Sequence, residues 1–123
     1  MKYSVDKQEK YLTFSLQEEK LNSLIAPEVK SILILKNNEG VRNLILDLTD
    51  VLYCDSSGLS AILVANRLCK NSNGSFVLTG LQESVKKMIL ISQLDHVLNI
   101  TPTVNEAIDL IFMEEIQRDL GSI

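Results

Sequence analysis

Segments of strand character alternate with segments of helical spacing along this chain, and that alternation constrains its fold more than any other feature. In one segment Leu12, Phe14 and Leu16 alternate with polar residues, a period of two that is typical of a half-buried strand. The strand that ends near Asp47 is otherwise nearly all apolar, as expected for a central strand covered on both faces. Strands separated by helices form parallel pairs through right-handed crossovers.

The complete pattern predicts about five strands and four helices. The strands are predicted at residues 3–8, 11–17, 43–48, 75–78 and 97–100. The helices are predicted after Pro27, from about Leu59 to Asn71, around Val85–Ser92, and after a capping box that begins at Thr103. We therefore expect an α/β fold in which an N-terminal hairpin joins a mixed sheet, with one domain spanning residues 1–123.

Charge and composition exclude several classes of function. The net charge of -4 disfavours binding to duplex nucleic acid, which requires a basic face. The first residues lack the apolar segment of a signal peptide, and the longest apolar runs are far shorter than a membrane span, so we expect a cytoplasmic protein. Cys54 and Cys69 do not have the spacing of a metal site or a disulfide framework. We expect no metal and no cofactor.

The loop from Asp50 to Ser57 carries the densest group of polar residues after a predicted strand. In sheets of this kind, functional loops follow the carboxyl ends of the strands. Its last residues, followed by Gly58, read Asp-Ser-Ser-Gly at the start of a predicted helix. Asp55 or Ser56 is a good helix cap, which by itself explains the pattern. Alternatively, the Ser57 hydroxyl is a phosphoacceptor beside the positive end of the helix.

The energies expected for a phosphate on Ser57 indicate that phosphorylation would change binding to a partner and would not unfold the domain. Phosphorylation adds about -1.5 to -2 charge at neutral pH. Near a helix N-terminus that charge is stabilised by roughly 0.3–1 kcal/mol, so the domain stays folded. Burial of the same charge at an interface without compensation costs several kcal/mol.

The strand-loop-helix from Leu46 to Leu59 resembles the phosphorylation-site signature of anti-sigma-factor antagonists of the STAS-domain family. The segment 85–94 is similar to the family's third helix. The resemblance implies that Ser57 is phosphorylated by an anti-sigma-factor serine kinase. It also implies that the unmodified protein sequesters this kinase and that a serine phosphatase resets the switch. The protein would then regulate transcription by binding and would not be an enzyme.

The resemblance also implies roles for the residues around the phosphoacceptor. Asp55 and Ser56 would shape the turn, and Gly58 would leave space for the approaching kinase. Asp50 belongs to the same loop, and Leu59 with neighbouring exposed residues would form part of the partner surface. An alternative within the same fold is a STAS subunit that is never phosphorylated, for example a scaffold or regulatory subunit of a lipid-transport ATPase.

Two departures from the family pattern concern other segments. The family often has Gly-Glu-Leu-Asp after its second strand, whereas this chain has Glu-Lys-Leu-Asn at residues 19–22. Gln93 stands where glycine is common. The first change bears on partner contacts or nucleotide binding attributed to that loop, and the second bears on the turn that follows the helix predicted around residues 85–92. Neither changes Ser57.

Other chemistries find less support in the sequence. A receiver-type phosphoaspartate site would use Asp47, Asp50 or Asp55, but it needs an acidic pair from an earlier strand and a well-placed lysine. His96 is the single histidine, and no Gly-x-Ser-x-Gly turn is present, so a serine hydrolase is disfavoured.

Overall fold

The computed structural model describes residues 1–121, which form seven strands and four helices. The strands are β1 (Tyr3–Lys7), β2 (Leu12–Leu16), β3 (Lys20–Leu21), β4 (Leu44–Asp47), β5 (Tyr53–Cys54), β6 (Phe76–Thr79) and β7 (Asn99–Thr101). The helices are α1 (Ala26–Asn38), α2 (Ser56–Asn71), α3 (Glu83–Ile91) and α4 (Val104–Gly121). A single 3₁₀ turn (Leu94–His96) precedes β7.

Five of the strands form one mixed sheet in the order β1-β2-β4-β6-β7. The hairpin pair β1–β2 is antiparallel, and Val5 lies opposite Phe14. The remaining pairs are parallel, with Leu46 of β4 between Phe14 of β2 and Leu78 of β6. The predicted α/β fold, with a hairpin followed by alternating strands and helices, is therefore confirmed.

The sheet separates two apolar cores because side chains alternate between its faces. Leu46 and Leu78 belong to the larger core, to which α1, α2 and α3 contribute. Ile45 and Val77 point to the other face, where Ala107 of α4 packs against them. One helix thus covers one face of the sheet, and three helices supply the core on the other face.

Two short strands were not predicted. β3 and β5 form a separate two-stranded parallel sheet, in which Leu21 lies opposite Cys54. Each strand has only two residues, too few to show a period of two. Because β3 follows β2 and β5 follows β4, this small sheet continues the pairing of two neighbouring strands beyond the main sheet.

A polar cluster around the buried Glu115 and Asn43 fastens α4 to the amino ends of the central strands. The Glu115 carboxylate accepts two hydrogen bonds from Arg42 Nη2, at 3.0 and 2.8 Å, and one from Asn43 Nδ2 at 2.5 Å. Arg118 Nη2 lies 3.2 Å from Glu115 Oε1. Asn43 also accepts a hydrogen bond from the Ser75 amide at 2.8 Å. The cluster joins residues that precede β4 and β6 to the second half of α4.

Candidate functional site

The loop after β4 leads directly into the first turn of α2. Asp55 is the N-cap of that helix, and its Oδ1 accepts a hydrogen bond from the Gly58 amide at 3.0 Å. Of the two capping residues that the sequence allows, the structure uses Asp55. Ser56 and Ser57 are therefore the first two residues of the helix, where backbone N–H groups lack intrahelical partners.

The two serines of the first turn differ in exposure. Ser56 is exposed and Ser57 is half-buried. Within residues 1–121, neither hydroxyl forms a hydrogen bond with another side chain or with the backbone. The Ser57 hydroxyl thus has no hydrogen-bond partner among the described residues and lies at the positive end of a 16-residue helix.

The acidic side chains near this loop do not form a metal site. Asp47 binds its own turn, accepting hydrogen bonds from the Thr49 amide at 3.1 Å and the Thr49 hydroxyl at 2.6 Å. It also accepts one from Ser15 Oγ at 3.2 Å, and Asp50 is exposed to solvent. Across the described part of the chain, no three acidic, histidine or cysteine side chains are grouped to hold a metal ion. Asp47 therefore shapes the loop.

Gly58 and Leu59 lie inside the protein, which corrects the expectation that they face a partner. Leu59 is 9% exposed and packs in the larger core. A Cβ on Gly58 would lie 2.6 Å from Cys54 Sγ and would also overlap the Leu21 carbonyl oxygen. The β3–β5 pair lies directly against the first turn of α2, so only a residue without a side chain fits at position 58.

Backbone contacts from two other segments brace the loop, and sequence reasoning missed them. The side-chain amide of Gln82 (Nε2) donates to the Thr49 carbonyl at 2.7 Å, and the Ser84 hydroxyl donates to the Leu52 carbonyl. On the other side, the Leu52 and Tyr53 amides donate to the Glu19 carbonyl at 2.7 and 3.0 Å. The partners are about thirty residues apart in sequence, and such pairs give no local signal.

We expect removal of the two α3 contacts to loosen the loop without unfolding the protein. A Gln82→Ala, Ser84→Ala double variant loses two hydrogen bonds, each worth about 1 kcal/mol. Amide hydrogen exchange should accelerate at Leu52 and Tyr53 and stay unchanged in β6. A Lys86→Ala variant, also on the exposed side of α3, is the control. Unchanged exchange in the double variant would show that α3 does not hold the loop.

Cys54 is buried beside the site. Burial, together with the nearby charge of Asp55, raises the pKa of the Cys54 thiol to about 12. The thiolate is the reactive form of cysteine, so this thiol is inert at neutral pH. Cys54 serves as a small apolar residue below the first turn of α2.

Exposed apolar side chains precede residues 55–58, the start of α2 that contains both serines and is called the serine turn below. Leu52 is 52% exposed and Tyr53 is 50% exposed, although their backbone groups are fixed. A braced loop that presents apolar side chains next to an unpaired serine hydroxyl has the properties of a protein-docking surface.

Residues 2–107 match the STAS domain, and the chain belongs to the STAS-domain family. A Thermotoga maritima protein described as an anti-sigma factor antagonist is 32% identical over 81 residues, which are 66% of this chain and 67% of that protein. The chain is thus a relative of anti-sigma factor antagonists. In residues 1–121, none of the helices is both long and apolar enough to cross a membrane.

Solved structures share the fold of this chain. The crystal structure of a Thermotoga maritima protein described as an anti-sigma factor antagonist superimposes with a TM-score of 0.80 at 25% identity, covering 89% of this chain and 93% of that chain. The Bacillus cell fate determinant SpoIIAA in its phosphorylated form superimposes with a TM-score of 0.70 at 19% identity, covering 89% of this chain and 99% of that chain. Its unphosphorylated form gives 0.76 at 19% identity, covering 89% and 96%.

Proposed function

We propose that this protein is an anti-sigma-factor antagonist that binds an anti-sigma-factor serine kinase when Ser57 is unmodified. Phosphorylation of Ser57 releases the kinase, and a serine phosphatase restores binding. The observation that carries the proposal is the Ser57 hydroxyl itself. It lies in the first turn of α2, partly exposed and without a hydrogen bond to the described residues.

A phosphate on Ser57 would be compatible with the fold. The N-terminal end of α2 offers free backbone N–H groups and a positive dipole, worth roughly 0.3–1 kcal/mol to an anion. SpoIIAA has been solved in both its unphosphorylated and its phosphorylated form. Those two structures support the idea that a STAS domain retains its fold when it is modified.

The same phosphate would oppose binding. Leu52 and Tyr53 form the apolar part of the proposed docking surface, with Asp50 and Ser56 exposed beside them. Bringing a partner against this surface removes water from position 57. An uncompensated phosphate there would cost several kcal/mol, and each ~1.4 kcal/mol weakens affinity tenfold.

The residues of the loop and of the first turn of α2 have three roles in this proposal. Ser57 is modified, while Asp50 and Ser56 contact the partner. Asp55 holds the turn through its cap hydrogen bond, and Gly58 allows the close packing below it. The chain itself catalyses no reaction in this scheme, because the kinase and the phosphatase supply the chemistry.

Intact mass spectrometry after incubation with the kinase and ATP tests the phosphoacceptor. The wild type and a Ser56→Ala variant should each gain one phosphate, and a Ser57→Ala variant should gain none. Ser56→Ala is the matched control because it removes the neighbouring hydroxyl from the same turn. Equal incorporation in Ser57→Ala would assign the modification to another residue.

Calorimetry with the purified kinase tests the switch itself. A Ser57→Asp variant should bind at least tenfold more weakly than the wild type, while Ser56→Asp should have a smaller effect. A stable complex with a transporter subunit that is unaffected by Ser57→Asp would instead support the scaffold alternative.

A further inference from the structure

A groove follows β7, at the edge of the sheet opposite to β1. It consists of two depressions that share Leu81, Lys86 and Ile100. The apolar depression, of about 380 Å³, is lined mainly by aliphatic side chains of α3, β7, α4 and adjoining residues, namely Leu81, Ile89, Leu90, Leu98, Ile100 and Leu110. The polar depression, of about 510 Å³, lies where β6 leads into α3, beside Gln82 and Thr101. Each volume is within the range of small-molecule sites.

The apolar depression joins the core to the surface. Ile89 and Leu98 are buried and belong to the larger core, whereas Leu90 and Ile100 are exposed. A linear apolar chain in this depression would contact the packed core residues and cover the two exposed ones. Removing this apolar surface from water favours binding of such a chain.

Charge is distributed unevenly along the groove. Among residues 1–121, Lys86 is the single charged residue that lines the polar depression, and its ammonium group has no ion-pair partner. Glu83, in the first turn of α3, lines neither depression. Asp95 lines the apolar depression and not the polar one, so it lies away from Gln82. An anionic group is therefore favoured in the polar depression and disfavoured at the other end.

The edge of β7 offers little to an added peptide strand. The Leu44 and Leu48 amides donate to the carbonyls at positions 75 and 79, so odd-numbered residues of β6 face β4, and Leu78 faces β7. Because Leu78 lies opposite Ile100 in a parallel pair, Ile100 is the one residue of β7 whose peptide groups point outward. Pro102, just beyond the strand, has no N–H to donate. The groove thus favours a ligand that binds through its apolar surface over a peptide that extends the sheet.

We propose that this groove binds a linear-chain carboxylate of the fatty-acid class. The chain lies in the apolar depression, and the carboxylate lies in the polar depression beside Lys86. Gln82 has a second side-chain N–H besides the one that it donates to Thr49, and this N–H is a further donor at that end. Asp95 opposes the reversed orientation. The site goes beyond the proposed switch, because neither Ser57 nor a protein partner takes part in it.

Titration of isotope-labelled protein with decanoate, followed by amide chemical shifts, tests the site. A probe of about twelve non-hydrogen atoms in an open groove should give saturable shifts with a dissociation constant of roughly 0.1–2 mM. The shifts should be largest at Leu90, Leu98 and Ile100 and absent from β1. Butanoate should give no saturable shifts, because its chain is too short to fill the apolar depression. Decanoate shifts confined to other residues, or an equal response to butanoate, would overturn the proposal.

A charge-reversed ligand and a matched pair of variants test the position of the carboxylate. Lys86→Gln should weaken decanoate binding about twofold to fivefold, the range for an exposed ion pair. Lys87→Gln should not, because Lys87 is exposed on the same helix but lines neither depression. Decyltrimethylammonium, with the same chain and the opposite charge, should bind more weakly than decanoate. Unchanged decanoate binding in Lys86→Gln, or equal binding of the two ligands, would contradict an anion site at Lys86.

Dilution of the ligand-free protein separates this proposal from self-association. The amide resonances of Leu90 and Ile100 should not change with protein concentration. If they do, a second copy of the chain occupies the groove, and the proposed carboxylate site is wrong.

Discussion

Replacing Gly58 with alanine is expected to destabilise the protein by about 2–3 kcal/mol, although alanine is the better helix former. The position is in the first turn of α2, where propensity alone predicts a gain of up to about 1 kcal/mol. The new Cβ would overlap the Leu21 carbonyl oxygen and Cys54 Sγ. Relief of that overlap requires β3 and β5 to move away from α2.

Urea unfolding measures this loss, and the chain supplies a matched control. Gly121 is also helical, and a Cβ there would meet no atom of the described residues, 1–121, within 4 Å. Gly121→Ala should therefore be neutral or slightly stabilising. If Gly58→Ala is as stable as the wild type, the close packing of α2 on the β3–β5 pair is not a constraint on this residue.

Replacing Glu115 with alanine is expected to destabilise the protein by about 2 kcal/mol, because it removes hydrogen bonds from the buried Asn43 amide and from the partly exposed Arg42 and Arg118. Glu115 binds Arg42, Asn43 and Arg118 at once, and the whole residue is 8% exposed. Urea unfolding at neutral pH should show this loss. Glu39→Gln is the control, because it removes only the surface ion pair with Lys36 at 3.5 Å. That pair is worth at most about 0.5 kcal/mol.

The contribution of Glu115 should also depend on pH. Burial alone would raise the pKa of Glu115. Hydrogen bonds from Asn43 and Arg118, with the charges of Arg42 and Arg118, outweigh burial and lower the pKa. A carboxyl group whose folded pKa is below its unfolded value stabilises the fold fully above the unfolded value, about 4.3, and loses this effect as the pH falls through the folded pKa.

The stability difference between the wild type and Glu115→Gln should therefore be largest near neutral pH and shrink below about pH 4. Free energies of unfolding at several pH values check this. A difference that grows as the pH falls would show that Glu115 is held in its neutral form.

The start of α2 could be predicted from sequence because its signals are local. An apolar strand, a capping aspartate and a helical repeat lie within a few residues of Asp47, Asp55 and Leu59. The alternation of strands and helices similarly predicts the main sheet. Helical spacing also places Leu59 among the apolar residues of α2, which favours burial. The resemblance to the family nevertheless led us to expect Leu59 on the partner surface.

The remaining features depend on contacts between distant parts of the chain. The burial of Leu59 and the need for glycine at position 58 depend on the β3–β5 pair, whose strands are too short to be recognised. The contact between Glu115 and Arg42 joins residues 73 positions apart, and nothing near either residue indicates it. Sequence patterns identify which residues form helices and strands. Which residues then contact each other depends on how those helices and strands pack.

The β2–β4 pairing continues into β3–β5, and this affects which residues near the serine turn can change during evolution. Residues 48–52 are held at both ends by paired strands, in β4 and in β5. The start of α2 is fixed by Asp55 after the second pair. Exposed side chains such as Asp50 and Leu52 can therefore be exchanged while Ser57 keeps its place. Under the proposed function, a lineage could in this way acquire new partners and retain the same phosphoacceptor.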